Sequence, residues 1–445
     1  MTCTTCMVSL GLLLGLALPA GGSRPAAAQT PPFQDGAQAY ERWLDTCLDG
    51  LDQQIPAITQ SAERAARLYV EKDYAIATRG DPGVRGEALG RSGGIMEMNV
   101  SRPSPIILEF PTDTKDLAAS PRWRDDRPVV TFAPRWMVDQ VRTSDWPDQN
   151  VIITHAAGGG GLFTRPDGRQ LVAIDGVAGV AALWVWTGEF VAACTRLGRM
   201  PCMYQGFAVP GGRERAERLT KVNPKFHPEP PQRVPAGKLG KAYLEALRRD
   251  LTAVYGERRR IRQLAELTVA TLKAGRRSYI FPPTHVLFAG HVGGPFDPGY
   301  FTRINNRWSL DSEMPLTPGD LVFYNGFDEV CSGSDRERLR AAGVRLAWSF
   351  AGYKTDPNLG VQAVGKDELF IDQHWKHGDA VVEVPGYDIP ILPTSGVLTE
   401  TILRMVESEI VRIATGKLAS EIRPAPTRST GAPDLKPATR EIRGN

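Results

Sequence analysis

The 445 residues are 42% hydrophobic and 23% charged, the balance of a globular chain that can bury a large core without metal or disulfide. A net charge of +3 is too mild to imply nucleic-acid binding, which calls for a concentrated basic face. The length allows two or three domains.

In chain order, Val8–Pro19 comes first, a short apolar run rich in Leu, Gly and Ala. It has the length of a signal core and is too short to span a bilayer. Ala26-Ala27-Ala28 offers a cleavage site before Gln29, although residues 1–7 lack the usual Lys or Arg. The expectation is a signal peptide over 1–28 and an exported protein, periplasmic or extracellular, with no membrane attachment after cleavage. The alternative is a misread leader on a cytoplasmic protein. No later segment reads as a membrane helix. Cleavage leaves Cys47, Cys194, Cys202 and Cys331, without CxxC or zinc spacing. Buried free thiols are expected, with disulfides as the alternative.

An internal repeat organises the rest. Laying Gln38–Arg64 on Lys241–Leu267 without a gap pairs Ala39-Tyr40 with Ala242-Tyr243, and Leu44 and Leu48 with Leu247 and Leu251. It also pairs Gln60 with Gln263 and Ala62-Glu63 with Ala265-Glu266. Apolar steps of three and four predict one long amphipathic helix in each copy. Arg258-Arg259-Arg260 with Arg262 reads as the solvated face of the second. After the helices, Tyr74–Thr78 and Ser278–Phe281 read as strands, each followed by a turn and then by Gly93-Gly94 or Gly293-Gly294. In the first copy the turn Gly80-Asp81-Pro82-Gly83 leads into a short helix reaching Gly93-Gly94, with Asp81 as its N-cap.

Further strands are predicted at Ile106–Phe110, Val129–Phe132, Val151–Thr154, Leu171–Ile174 and Cys202–Phe207, with a helix over Ala181–Leu197. In the second copy the strands are Asp320–Tyr324, Val344–Phe350 and Leu369–Asp372, and the helices Asp335–Ala342 and Leu398–Ile413. Alternating strands and helices predict an α/β fold: two three-layer αβα domains with mainly parallel sheets, flavodoxin-type, packed as a pseudo-dimer. The domains are placed at 36–222 and 238–416, with a Pro-rich linker at 223–237 and a disordered tail at 417–445.

The run Glu87-Ala88-Leu89-Gly90-Arg91-Ser92-Gly93-Gly94 resembles the Glu-x-x-x-Arg-x-Gly-Gly segment of the sugar-isomerase (SIS) domain family. Gly378-Asp379-Ala380, the strand Val381-Val382-Glu383 and the turn Pro393-Thr394-Ser395 are similar to that family's closing segment. The resemblance implies a phosphosugar- or amino-sugar-binding fold, a Glu base at Glu87 for an isomerase, and ligand sites where two domains meet. Two departures stand out. The segment Asn325–Ser334, where the family carries a phosphate loop, contains Asp328 and Glu329, and Leu287 stands where the first copy has Glu87. The Gly run of Thr154–Gly161 is the nearest first-copy equivalent, either an anion cradle or a plain flexible loop.

The candidate catalytic residues are Glu87 and His291. Glu87 could serve as a proton-transfer base or simply pair with Arg91 at helical i,i+4 spacing. Candidate ligand contacts are Thr78 and Arg79 before a helix start, Arg91, Asn325, Ser332, Ser334, His374, His377, Thr394 and Ser395. The last two also suit a helix cap. His374 and His377 with Asp372 and Asp379 have metal-ligand chemistry, but a sugar contact is preferred and neither metal nor cofactor is expected. No nucleophile elbow, dinucleotide fingerprint or P-loop is present. The expected function is carbohydrate-derivative binding, with sugar-phosphate isomerisation as an extension. An exported scaffold with degenerate domains is the alternative. The partner is a small sugar or sugar phosphate, and a homo-oligomer is left open.

Overall fold

The computed structural model describes residues 35–414 apart from 99–105, 121–122, 125, 127, 142–150, 166, 207–208, 223–224, 230–231, 283–293, 305–313, 355 and 377. The expected leader and tail, Leu287, His291 and His377 lie outside the described residues.

The chain opens with α1 (Gly36–Gln53) and α2 (Ile55–Glu71). Asp35 caps α1 by accepting the Gln38 N–H at 3.2 Å. Tyr40, Leu44, Leu48 and Leu51 bury one stripe of it. The expected single helix is two, because Pro56 has no N–H to continue the ladder and instead suits the first turn of a new helix. Gln54 secures the break, donating to Ile153 O and accepting from Ile153 N–H, both at 2.9 Å.

The first half continues as β1 (Ile76–Gly80), α3 (Pro82–Ala88), β2 (Ile106–Phe110), α4 (Thr114–Ala118), β3 (Val129–Ala133), α5 (Arg135–Val141) and β4 (Val151–Ile153). The hairpin β5 (Gly161–Thr164)/β6 (Gln170–Ala173) and α6 (Asp175–Arg196) close it. After α7 (Gly212–Val222) the pattern restarts with α8 (Lys238–Tyr255), α9 (Arg258–Lys273), β7 (Ser278–Phe281), β8 (Thr302–Arg303) and β9 (Leu321–Asn325). It then runs through α10 (Gly333–Ala341), β10 (Arg345–Phe350), β11 (Leu369–Asp372), the hairpin β12 (Ala380–Val382)/β13 (Ile391–Pro393) and α11 (Ser395–Ala414).

Both large sheets are parallel throughout. The first has order β1-β2-β3-β4. The second has order β8-β7-β9-β10-β11, the flavodoxin-type 2-1-3-4-5 arrangement, whose switch point lies between β7 and β9. Every residue of β3 and β9 is buried, as helices on both faces require.

The two closing helices make the centre. α6 packs against α2 of its own half and α8 of the other, and α11 packs against α9 and α1 in the same exchanged way. The hairpins cross over too. Leu392 of β13 donates to Gly93 O, and Val172 of β6 donates to Phe296 O, both at 2.9 Å. Leu392 and Val172 share the rare positive φ, 66° and 65°.

Several expectations are corrected. α6 begins at Asp175, six residues before the predicted start, and is long and apolar enough to cross a membrane, yet every residue from Gly176 to Thr195 is buried inside the fold. Its Gly176 and Gly179 obscured the start, since glycine is a poor helix former. Leu171–Ile174 belongs to a hairpin rather than to the main sheet. The described residues of Cys202–Phe207 form no strand. Only the bridges Pro201–Phe226 and Ile95–Met203 form there, and Phe207 is outside the described residues. α3 stops at Ala88, short of Gly93-Gly94. Within the expected linker two residues are anchored: Val234 is buried and Lys225 is 2% exposed, its ammonium 4.4 Å from the Tyr69 ring centroid.

Candidate functional site

β1 ends in Gly80, and Asp81 then caps α3, accepting the N–H groups of Gly83 and Val84 at 2.8 and 2.9 Å. The short helix turns Glu87 inward, 1% exposed. Past its end the chain bends at Gly90, φ 61°, and returns Arg91 Nε to 3.3 Å from Glu87 Oε2. The predicted pair therefore forms across a helix end and not along a helix face.

Arg91 then reaches into the second half. Its Nη2 lies 3.2 Å from Asp379 Oδ2 and also donates to the Ser395 hydroxyl. Asp379 accepts the Ser395 N–H on Oδ1 at 2.8 Å and the Ser395 hydroxyl on Oδ2 at 2.6 Å. The cap of α11 is thus the Asp379 carboxylate and not the hydroxyls of Thr394 or Ser395. Thr394 Oγ1 instead donates to Asp250 Oδ2 at 3.1 Å. Burial raises the Asp250 carboxyl above its usual range despite that bond.

The glycines here serve close approach. A Cβ on Gly93 would stand 2.6 Å from Leu392 N, and one on Gly396 would stand 2.2 Å from Glu87 Oε2.

The carboxyl edge of the second sheet adjoins this cluster. Asn325 is fully buried. Its Oδ1 accepts from Gln373 Nε2 at 3.1 Å and its Nδ2 donates to Thr399 O of α11 at 3.2 Å. Phe327 stacks near Trp375, 4.1 Å between centroids, with the Arg91 guanidinium 5.8 Å from the Phe327 ring. Lys354 pairs with both Asp328 and Glu329, at 3.1 and 2.9 Å. The single ammonium offsets one of the two negative charges foreseen as repelling phosphate and leaves the other.

The structure brings Glu87, Arg91, Ser395 and Thr394 together, and joins Asn325 to them through α11. It ties the other candidates elsewhere. Arg79 donates to Glu109 on the neighbouring strand, Nε to Oε1 at 2.9 Å, and Thr78 lies buried in β1. Ser332 caps α10 with Asp335, and Ser334 stands 3.1 Å from Ser332. His374, at φ 59°, sets Nε2 3.0 Å from Glu257. That bond raises its pKa, against the effect of burial. Among the described residues no three His, Cys, Asp or Glu side chains gather as a metal site. The four cysteines among the described residues are free and buried, and burial pushes Cys202 up to about 11 and Cys331 to about 12.

Sequence reasoning missed a pair in the first half. His155 follows β4 as His374 follows β11, and its Nε2 lies 2.6 Å from Asp175 Oδ1. Asp175 opens α6 where Ser395 opens α11. Extending the repeat to the chain ends of both halves would have aligned the two histidines. The Gly run beside them is no plain flexible loop: a Cβ on Gly159 would meet Gln170, and one on Gly160 would meet Phe296 and Asp175. It also follows β4, so it is not the counterpart of Asn325–Ser334, which follows β9.

No protein-family model and no curated protein sequence matches the chain. Solved structures do align with it, among them the following three. The C-terminal domain of glucosamine-fructose-6-phosphate aminotransferase from Francisella tularensis aligns at 11% identity and TM-score 0.35, over 83% of this chain and 96% of that one. A protein from Silicibacter pomeroyi, named as a phosphosugar isomerase, aligns at 11% and TM-score 0.37, over 87% and 99%. A protein from Salmonella typhimurium, named as a sugar-binding protein, aligns at 9% and TM-score 0.35, over 84% and 99%. Alignments at these TM-scores decide nothing by themselves, and the fold class stands on the strand orders: a duplicated three-layer α/β protein with parallel sheets.

Proposed function

We propose that this chain binds a carbohydrate derivative, an amino sugar or a phosphosugar, where its two halves meet, and that it does so as an exported protein of two SIS-like domains. The observation that carries the reading is Arg91, which leaves the first half and engages Asp379 and Ser395 of the second. It thereby joins the two sequence blocks on which the SIS resemblance rests. The adjoining strand ends supply aromatic faces and polar groups, the usual lining of a small-molecule site. Glu87 is the base of an isomerase extension.

One observation favours the non-catalytic scaffold reading instead. Glu87 is 1% exposed, paired with Arg91 and in close contact with Gly396, which leaves it little access to a substrate.

A thermal-shift screen of the full chain against sugar phosphates, amino sugars and free sugars tests both. Ligand at a hundred times its Kd adds about 2.7 kcal/mol of stability. A shift with one class, lost in Arg91→Ala or Glu87→Gln, supports the binding reading and calls for an isomerase assay. No shift with any class supports the scaffold.

A further inference from the structure

We infer that the carbohydrate derivative bound where the halves meet carries no phosphate and is of the amino-sugar kind, and that Asp328, Glu329 and Asp335 are the specificity residues that turn phosphate away. The inference rests on the carbohydrate reading above. It adds no second site and decides between the two ligand classes of that one.

In an open parallel sheet the ligand crevice lies beyond the carboxyl ends of the strands at the switch point, here between β7 and β9. The chain leaves β9 at that point through residues 326–332 and enters α10. This segment is continuous with the Arg91 cluster. The Arg91 guanidinium stands 5.8 Å from the Phe327 ring, and Phe327 packs on Trp375. Tyr353 packs on the same Trp375, 5.6 Å between centroids, and its hydroxyl donates to Asp328. Charged side chains along this line reach water: Arg91 is 13% exposed, Lys354 26% and Glu329 43%.

A phosphate monoester carries about −1.5 to −2 charges at pH 7 and is held by cations and by N–H groups at helix starts. The cations here are outnumbered. Arg91 stands between the carboxylates of Glu87 and Asp379, at 3.3 and 3.2 Å. Lys354 stands between those of Asp328 and Glu329, at 3.1 and 2.9 Å. With both acids ionised, each trio keeps one negative charge, and like charges at this range repel. The charge of the exposed Lys376 acts on the buried Asp250 carboxyl.

The start of α10 is spent as well. Ser332 Oγ accepts the Asp335 N–H at 3.2 Å and donates to Asp335 Oδ2 at 2.8 Å. A carboxylate of the first turn thus already complements the positive end of the helix dipole. Arg336 of the same turn donates to Cys331 O at 2.7 Å. Other strand-to-helix turns are filled in the same way. Asp81 takes two N–H groups of α3, Asp113 takes two of α4 and Asp379 takes one of α11. Each aspartate is a sound cap, and each occupies the seat an anion would need. An ammonium meets the reverse. It is a cation that only donates, and Glu329 is the exposed carboxylate of a trio with one negative charge to spare.

The test is titration calorimetry on the full chain at low ionic strength, with glucosamine, glucose, glucosamine 6-phosphate and inorganic phosphate. Glucosamine should bind at least tenfold more tightly than its 6-phosphate, glucose should fall between them, and inorganic phosphate should not bind. Raising the salt should narrow the gap, because exposed charges are screened. Asp328→Asn with Glu329→Gln frees Lys354 of both acids. That variant should gain at least tenfold in affinity for glucosamine 6-phosphate, and adding Lys354→Gln should remove the gain. If the double variant does not fold, Glu329→Gln alone decides, with a gain of at least threefold. Wild-type preference for the 6-phosphate, or no gain in the folded variant, overturns this inference and keeps the carbohydrate reading. Binding of none of the three sugars by the wild type overturns that reading, and this inference with it.

Discussion

Ser395 gives both its backbone N–H and its hydroxyl to one carboxylate, that of Asp379, at 2.8 and 2.6 Å. That carboxylate also faces Arg91 of the other half. The start of α11, the β12 edge and the segment after α3 are therefore held by one cation between two buried acids. Arg91→Ala removes the charge that Arg91 sets against Glu87 and Asp379, both buried. Breaking a buried pair in this way costs about 3–5 kcal/mol. The expected outcome is a lower denaturant midpoint, with only partial recovery in Arg91→Lys, whose point charge cannot fork between partners. A loss below about 0.5 kcal/mol, the range of ordinary surface substitutions, would show that the network does not hold the halves.

Gly396 and Glu87 make a second testable contact. Gly396→Ala forces a methyl group to 2.2 Å from Glu87 Oε2, and overpacking of this kind costs about 1–3 kcal/mol. Glu87→Ala in the same background removes the clash, so the double variant should be more stable than the sum of the single effects implies. Additive costs would place the strain elsewhere.

His374 and Glu257 predict a pH dependence. The bond from Glu257 raises His374 above 6.5, with burial opposing. Burial pushes Glu257 up, but bonds from His374 and Arg260 hold it below 4.5. The histidine's contribution is complete below pH 6.5 and fades as pH rises through its raised value. The glutamate's is complete above pH 4.5 and fades as pH falls through its lowered one. The pair stabilises most between these limits. His374→Gln should therefore lower the melting temperature most near pH 5.5 and least above pH 8. An equal effect at both would sink the assignment.

Glu407 acts in the opposite direction. It lies fully inside α11 beside Arg404, 2.5 Å from Nη1. Burial pushes it up to about 7, although Arg404 pulls it down. A carboxyl whose folded value exceeds its unfolded one loses stability as pH rises between the two, here from 4.5 to about 7, and is level beyond. Glu407→Gln should remove that slope from the stability profile, as read from melting temperatures between pH 4 and 8. An unchanged slope would show that another group carries it.

Much of the fold was legible because its elements carry strong local periods. Ile106–Phe110 and Leu369–Asp372 are strands at the predicted bounds. Tyr40 and Tyr243, paired by the repeat, are both buried in the opening helices. Elements with weak local signals were missed: β5 and β13, hence the antiparallel pairing of the strands foreseen at Leu171–Ile174 and Val381–Glu383, and the first turns of α6. Of the site, Glu87, Arg91, Thr394 and Ser395 were legible as two motifs. Asp379, which joins Arg91 to Ser395, was seen as part of a motif and of a metal-type cluster, and the His155–Asp175 pair was not seen at all.

The sequence by itself determined what depends on neighbours along the chain: the α/β class, the duplication, the parallel strands, and the glycines and Asp81 that shape the turn into α3. Only the tertiary structure decided which charges meet. Glu87 and Asp379 share Arg91 because the β12/β13 hairpin of the second half crosses to the Gly93 turn of the first, where Leu392 donates to Gly93 O. The apolar helix α6 is a core helix because α2 and α8 cover it from opposite halves. Both outcomes follow from packing between residues far apart in sequence, where burial removes water and charge pairing becomes obligatory, and no local pattern records which partner will arrive.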